Sequence, residues 1–499
     1  MRKIGVGIGL MLHVPGVMAL LSIPIALFFN EIFALKAFAW TGTGCLLLAQ
    51  GLFHLSKNRS ENFSLTEMMW IASLGWLLAS SFAALPFYLI ANSLPATELA
   101  NYQMEPFADW INAHFEGLSG ITSTGLTVSI SESNLPFSMQ WWRTFLQWVG
   151  AIGIIVFVST FYKSFRTVSD HYSQGEEKEE ILPDVEVRWY KIWWIYLLLT
   201  ACSIILLLVQ KVPWWEAVNH GMTAIATGGF TVLDDSVELY DSRLKLSLIF
   251  IMVLGALNFN LYHLLFLKGK WKRFLGDQQH IFFVCFMIAG SVFLLLENNI
   301  WGDRADHWLD LAFQFTSAIS TTGFMSASLD GWPNTSLLML SLAMLIGGAT
   351  ASTAGGIKIL RFLLLIKGNF HSTLQWVYSY EKNLKFYWNE HELTHEESLE
   401  LYRNVGTFHF FYLFFFVLMT YLMLLGVPSD IRLSQIIFEV ASAYGTTGLS
   451  IGLTDHSLNF SSKIVLMATM YVGRLELIPF VVIFATILKA QLEKEEEAV

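Results

Sequence analysis

Apolar runs of about twenty residues or more recur along the whole chain, which is the length that crosses a bilayer as a helix. They lie near 6–29, 33–54, 66–91, 136–162, 189–210, 244–267, 279–296, 334–366, 405–426 and 459–488. Ten such runs predict an all-α polytopic membrane protein. No small-residue cleavage site follows the first run and a second span comes at once, so it reads as a span and not a cleaved signal peptide. Between the third and fourth runs stands ITSTGLTV (121–128), a Thr/Ser/Gly stretch preceded by an apolar segment too short to span.

The same interruption returns three more times. FEGLSGITSTGLT (115–127), NHGMTAIATGGFT (219–231), FQFTSAISTTGFM (313–325) and FEVASAYGTTGLS (438–450) align on Gly125, Gly229, Gly323 and Gly448. Nine residues before each glycine stands a polar residue, Glu116, His220, Gln314 or Glu439. The unit is span, half-helix, Thr/Gly loop, span, repeated four times. It divides the chain into two extra N-terminal helices (1–64) and four pore repeats, 65–166, 167–267, 268–367 and 368–499, the last with the C-terminus. Irregular backbone at membrane depth survives only where protein buries it or where it lines an aqueous path. Four half-helices ending in such loops can converge on one pseudo-fourfold axis.

Composition agrees: 499 residues, 54% hydrophobic, 14% charged, mean hydropathy +0.52. The net charge of −10 matters less than its placement. Arg2, Lys3, Lys57, Arg59, Lys163, Arg166, Lys268, Lys270, Lys272, Arg273, Lys367, Lys382 and Lys385 fall on one side, and the stretch 92–135 holds no Lys or Arg. The positive-inside rule therefore predicts both termini in the cytoplasm and the loops entering from outside. Cys45, Cys202 and Cys285 are dispersed through the spans and read as small core residues. No nucleotide loop or metal-ligand cluster stands out, so no cofactor, nucleic-acid partner or enzymatic chemistry is expected, and ion gradients or the membrane potential must supply the energy. His114 and His220 read as helix-end or outward-facing residues.

A cation entering a membrane must exchange its water for fixed oxygens, which rings of backbone carbonyls supply. Glycine permits the conformations that aim successive carbonyls inward. Each half-helix turns its negative C-terminal end to the axis. Glu116 and Glu439 read as helix N-terminal caps that compensate the dipole.

The chain resembles the Trk/Ktr/HKT superfamily of potassium transporters over nearly its whole length, with the two additional N-terminal spans of the Trk branch. Supporting stretches are QWVGAIGIIV (147–156), LGALNFNLYHLLF (254–266), GGATASTAGGIKILRF (347–362) and GRLELIPF (473–480). The resemblance implies a selectivity filter that binds K⁺ at Ser123, Thr124, Gly125, Thr227, Gly228, Gly229, Thr321, Thr322, Gly323, Thr446, Thr447 and Gly448. Members with serine at the first glycine tend to pass Na⁺, so Gly125 favours K⁺. The resemblance also implies a homodimer in the inner membrane, with a separate cytoplasmic nucleotide-binding regulatory subunit. Departures are the second loop, ATGGF, which lacks the second threonine, and Ala151, Ala349 and Ala351 where glycine or cysteine is frequent.

The run 334–366 is longer than a bilayer needs, and its middle, GGATASTAGGIK, is rich in glycine, which weakens a helix by about 1 kcal/mol per residue. A broken helix with an insert just below the filters is expected. By the resemblance this is a gating loop, with Gly347, Gly348, Gly355, Gly356, Lys358 and Arg474 forming the gate; loosely packed small residues would let it move. The other reading is close helix packing through small residues. Arg474 either pairs with Glu476 or stands in the pore as a barrier, since a charge at that depth costs at least about 2.5 kcal/mol. Alternatives to K⁺ uptake are an Na⁺ or ammonium permease and, from GLSG (117–120), an intramembrane serine protease. The charged segments 173–191 and 378–397 read as solvated cytoplasmic loops.

Overall fold

The computed structural model describes residues 2–54, 63–170, 189–301, 308–377, 386–388, 391–393 and 395–498. Most of the segments 173–191 and 378–397 lies outside them. Among the described residues the one sheet is a short antiparallel ribbon pairing Phe386–Trp388 with His391–Leu393.

Four helices of twelve residues, Trp110–Ile121, Trp214–Ile225, Trp308–Ile319 and Leu433–Tyr444, form the centre of the repeats. Twelve residues reach about 18 Å, a little over half of a ~30 Å hydrocarbon core, so the chain must turn inside the protein. A longer helix leads into each: Leu65–Ser93, Trp189–Val209, Gln278–Trp301 and His395–Gly426. A second helix follows each: Phe137–Asp170, Ser242–Ala256, Asn334–Ile346 and Phe460–Arg474. These following helices approach the pore helices through glycine. A side chain on Gly150, Gly255 or Gly473 would strike the carbonyl of Ile121, Ile225 or Tyr444, the last residue of the adjacent pore helix. That contact explains one glycine in each of three stretches that carry the family resemblance.

Among the described residues six helices are long and apolar enough to cross a membrane, and two bent pairs raise the number to eight. Phe137–Asp170 and the divided pair Asn334–Ile346 and Ile359–Val377 occupy the positions of the fourth and eighth runs. Two runs expected to be continuous are not. Ser242–Ala256 turns by 98° into a helix that begins at Phe259, and Phe460–Arg474 turns by 93° into one that begins at Ile478. The first break is capped by Asn258, whose side chain accepts from the Asn260 amide at 2.9 Å. At the second, Glu476 and Leu477 both adopt left-handed backbone (φ 56° and 62°), and Pro479 follows within the first turn. Cys45 is buried as expected, whereas Cys202 and Cys285 are exposed on the apolar surface.

The N-terminal pair, Arg2–Phe28 and Ile32–His54, packs on Leu65–Ser93 and also touches the first pore repeat. Glu31, in the turn between the two helices, is buried, and its carboxylate accepts from the amides of Phe137 (2.7 Å) and Ser138 (2.8 Å). Those amides open the Phe137–Asp170 helix and have no intrahelical acceptor, so the addition caps a pore-domain helix from outside. Glu31→Ala should lower the thermal unfolding midpoint in detergent by the equivalent of about 1–2 kcal/mol. The exposed Glu98→Ala serves as control, and equal midpoints for the two variants would exclude the cap.

Candidate functional site

Each pore helix ends in the same backbone closure. The amides of Ser123, Thr227, Thr321 and Thr446 donate to the carbonyl three residues back, and those of Thr124, Gly228, Thr322 and Thr447 to the carbonyl five back at 2.8–2.9 Å. This closure places its turning residue in left-handed backbone, where glycine is usual. Here the residues are Ser123 (φ 54°), Thr227 (48°), Thr321 (51°) and Thr446 (49°). A β-carbon in that region costs about 1–2 kcal/mol. A cost taken at four equivalent places is strain of the kind held at functional sites. Two residues on, Gly125, Gly229, Gly323 and Gly448 take φ of 96°, 77°, 90° and 93°.

The four loops close into a ring. A side chain on Gly125 would strike the carbonyl oxygen of Gly228; on Gly229, that of Thr322; on Gly323, that of Thr447; and on Gly448, that of Thr124. Each glycine faces the carbonyl just before the next glycine, and the fourth returns to the first. The structure therefore brings all twelve expected filter residues together around one axis. The hydroxyls of Ser119, Ser317 and Ser442 accept from the amides of Gly125 (3.1 Å), Gly323 (3.0 Å) and Gly448 (3.0 Å). Ser119, the serine of GLSG, is thus a brace of the loop.

The polar residues nine before each glycine do not cap helices. They sit mid-helix, buried, and hold the strand that leaves the glycine. Glu116 accepts from Thr127 Oγ1 (2.9 and 3.0 Å) and the Val128 amide (3.1 Å). His220 Nε2 accepts from the Val232 amide (3.2 Å), and its Nδ1 meets the Tyr240 hydroxyl at 2.9 Å. Gln314 Nε2 donates to the Ala327 carbonyl (2.8 Å). Glu439 accepts from Ser450 Oγ (2.8 Å), the Thr454 amide (3.1 Å) and the Thr454 hydroxyl. His114 is also mid-helix, its Nε2 at 3.1 Å from Ser80 Oγ. Neither histidine therefore sits at a helix end as expected. A mid-helix carboxylate and a cap have the same letter in a sequence; only the return of the strand separates them.

Arg143 was missed in the sequence, although it is a charge inside an apolar run as Arg474 is. It is fully buried, with Nε at 2.7 Å from Glu116, and donates to the Thr231 carbonyl (3.0 Å) and to Thr127 Oγ1 (3.2 Å). Its guanidinium also lies 4.1 Å from the centre of the Phe230 ring. One side chain thereby fastens the strand of loop one to that of loop two.

The insert 347–358 packs against repeats two, three and four at the ends of their pore helices. Thr353 Oγ1 donates to the carbonyls of Ile225 (3.0 Å) and Gly255 (2.8 Å). The Gly355 amide donates to Thr321 Oγ1 at 2.7 Å, inside the third filter loop. Gly355 has no room for a side chain against the Gly445 carbonyl and the Thr446 hydroxyl, and Gly347 (φ 68°) and Gly356 (φ 67°) supply its left-handed turns. Ala351 also lies in left-handed backbone (φ 55°), a conformation that favours glycine. Expected as loose, the insert is instead buried, and it is knitted to the bent second repeat through Ala349 amide to Ala256 carbonyl (2.9 Å) and Phe259 amide to Ala351 carbonyl (3.0 Å). Lys358 donates to the Ala354 carbonyl within it.

The pairing of Arg474 with Glu476 is not formed. Glu476 accepts from Arg361 at 2.5 Å, because the left-handed turn at Glu476 directs it away. Arg474, buried, donates to the carbonyls of Gly150 (3.0 Å) and, at 3.4 Å, Thr353 of the insert. Its Nε has no hydrogen-bond partner. A buried cation held by neutral carbonyls opposes another cation nearby.

Beyond the loops, on the side where their strands leave the glycines, Asp234 after loop two accepts from Ser131 Oγ (2.9 Å), the Ser133 amide (2.9 Å) and Ser133 Oγ (2.7 Å) after loop one. Burial outweighs the attraction of Arg143, 3.7 Å away, and pushes the Glu132 carboxyl up to about 7, with Glu116 and Asp234 adding to the rise. Glu132 is therefore neutral below that value and gains a negative charge above it. Raising external pH from about 6 to about 8 should speed cation entry at low external cation, as a negative mouth concentrates cations. Glu132→Gln should flatten that dependence in proteoliposome flux, and an unchanged pH profile would exclude the effect.

Comparison with known proteins follows the same lines. A relative, the Trk system potassium uptake protein TrkI of Halomonas elongata, is 30% identical over 84% of this chain and 82% of its own. An uncharacterized cation transporter of Methanocaldococcus jannaschii is 27% identical over 96% of this chain and 94% of its own. The crystal structure of the potassium transporter TrkH from Vibrio parahaemolyticus superposes with a TM-score of 0.81 at 23% identity, covering 96% of this chain and 98% of that one, and so has the same fold. The family model described as TrkH, cation transport protein, matches residues 34–494, and the chain belongs to that family.

Proposed function

We propose that this protein takes up potassium across the cytoplasmic membrane, through the axial path its four loops enclose. The observation that carries the reading is the closed ring of four glycine-bearing loops, each with the same strained left-handed step. Ser123, Thr124, Gly125, Thr227, Gly228, Gly229, Thr321, Thr322, Gly323, Thr446, Thr447 and Gly448 supply the oxygens that replace the water of a K⁺ ion. Several relatives named as Trk potassium uptake proteins support K⁺ over Na⁺ or ammonium.

The insert, with Gly347, Gly348, Gly355, Gly356 and Lys358, is the gate, and Arg474 is the electrostatic barrier beneath the filter. Its contact with the Thr353 carbonyl supports a joint action: moving the insert moves the partner that holds Arg474. Both termini face the cytoplasm, where a nucleotide-binding regulatory subunit acts on the insert of each protomer of a homodimer.

Reconstituted in liposomes, the protein should carry K⁺ in preference to Na⁺ under imposed gradients, and Gly125→Ser should admit Na⁺, since the added side chain displaces the Gly228 carbonyl. If Gly125→Ser keeps the wild-type ratio, the loops are not the filter. Arg474→Ala should raise K⁺ flux about tenfold, the rate change of roughly 1.4 kcal/mol off a barrier. Unchanged flux from a variant that purifies with normal stability would remove the barrier role.

A further inference from the structure

Loop two departs from its counterparts at one position: Gly228 stands where the others have Thr124, Thr322 and Thr447. Backbone conformation does not require this glycine. The left-handed residues are its neighbours, Thr227 and Gly229, and not Gly228 itself. Space requires it. A β-carbon on Gly228 would lie 2.6 Å from both Cδ and Oε1 of Gln147, a fully buried residue of the Phe137–Asp170 helix in repeat one.

The Gln147 carboxamide brackets Gly229. Its Nε2 donates to the Gly228 carbonyl and its Oε1 accepts from the Phe230 amide at 2.9 Å. Its main-chain carbonyl accepts from Ser123 Oγ of loop one at 2.9 Å. The other loops have internal braces. Thr124 Oγ1 meets Thr122 Oγ1 at 2.8 Å, Thr322 Oγ1 meets Ser320 Oγ at 2.7 Å, and a serine hydroxyl holds the glycine amide in loops one, three and four. In loop two the residue at the serine position is Thr223, whose hydroxyl turns back to the Asn219 carbonyl at 3.2 Å. Gln147 supplies from another repeat what loop two lacks.

The Gly228 carbonyl is also one of the four that form the ring. An amide donor on a carbonyl oxygen engages a lone pair and weakens that oxygen as a cation ligand. Selectivity among alkali ions depends on the number and field strength of such carbonyls, a weaker field favouring the larger, more easily dehydrated ion. We propose that Gln147 is a positioning residue for ion selectivity, which holds the Gly228 carbonyl and makes it the weak member of a ring of three strong oxygens and one weak. This rests on the reading of the four loops as the filter.

The test is the K⁺/Na⁺ flux ratio of the full-length protein in proteoliposomes, for Gln147→Ala, Gln147→Glu and the double variant Gln147→Ala/Gly228→Thr, beside Gly125→Ser. Gln147→Glu keeps the size and the acceptor and, assayed at alkaline pH with its carboxyl ionised, loses the donor. The double variant refills the space with the threonine of the other loops without restoring the donor. All three should lower the ratio about tenfold, the scale of one hydrogen bond to the ligating oxygen. A ratio restored in the double variant overturns the proposal, because Gln147 would then only fill space. A wild-type ratio in the Gln147 variants beside an altered one in Gly125→Ser overturns it while leaving the filter in place. If Gly125→Ser is also unaltered, both readings fall.

Discussion

Backbone that is not helical must find its hydrogen bonds inside the protein when it lies at membrane depth, and the rest of this structure is arranged around that constraint. Four loops break helix at the same point, and their amides are taken up by the helix carbonyls behind them and by serine hydroxyls. The strands beyond are held by Glu116, His220, Gln314 and Glu439. With those partners in place, the carbonyls of the ring are set by the scaffold and need not rearrange for a passing ion.

The same constraint explains the buried charges. Arg143 and Glu116 neutralise each other while stitching two strands, so their desolvation is offset by a close ion pair and added hydrogen bonds. Arg474 has no such acid. It stands on two carbonyls, one of them belonging to the insert, while Glu476 is taken by Arg361. The two arginines thus differ in what surrounds them, a close carboxylate for Arg143 and backbone carbonyls for Arg474.

Breaks elsewhere follow the insert. The second repeat bends at Leu257 and Asn258 where Ala256 and Phe259 give their backbone groups to Ala349 and Ala351. The insert, the bend and the third Thr/Gly loop are consequently one hydrogen-bonded body, with Gly355 against Thr321 as the direct link between insert and loop. A displacement of the insert has to break those bonds together.

The helical membrane class, the fourfold repeat, the positions of the loops and the break in the eighth run were legible from the chain alone, because hydropathy and glycine placement are local properties. The four loop glycines were legible for the same reason, since repetition aligns them, while the assignment of twelve ion-binding residues around them came from the family resemblance. The bends near Asn258 and Pro479 had weak local signals, a capping residue and a proline, submerged in apolar runs. The partners of Glu116, Glu439, Arg143, Gln147 and Arg474 had none. Each is decided by which strand returns past it or which repeat lies beside it, and a hydrogen bond between residues far apart in the chain leaves no periodicity to read. Sequence therefore determined where backbone would leave the helix, and tertiary structure alone decided what holds it there.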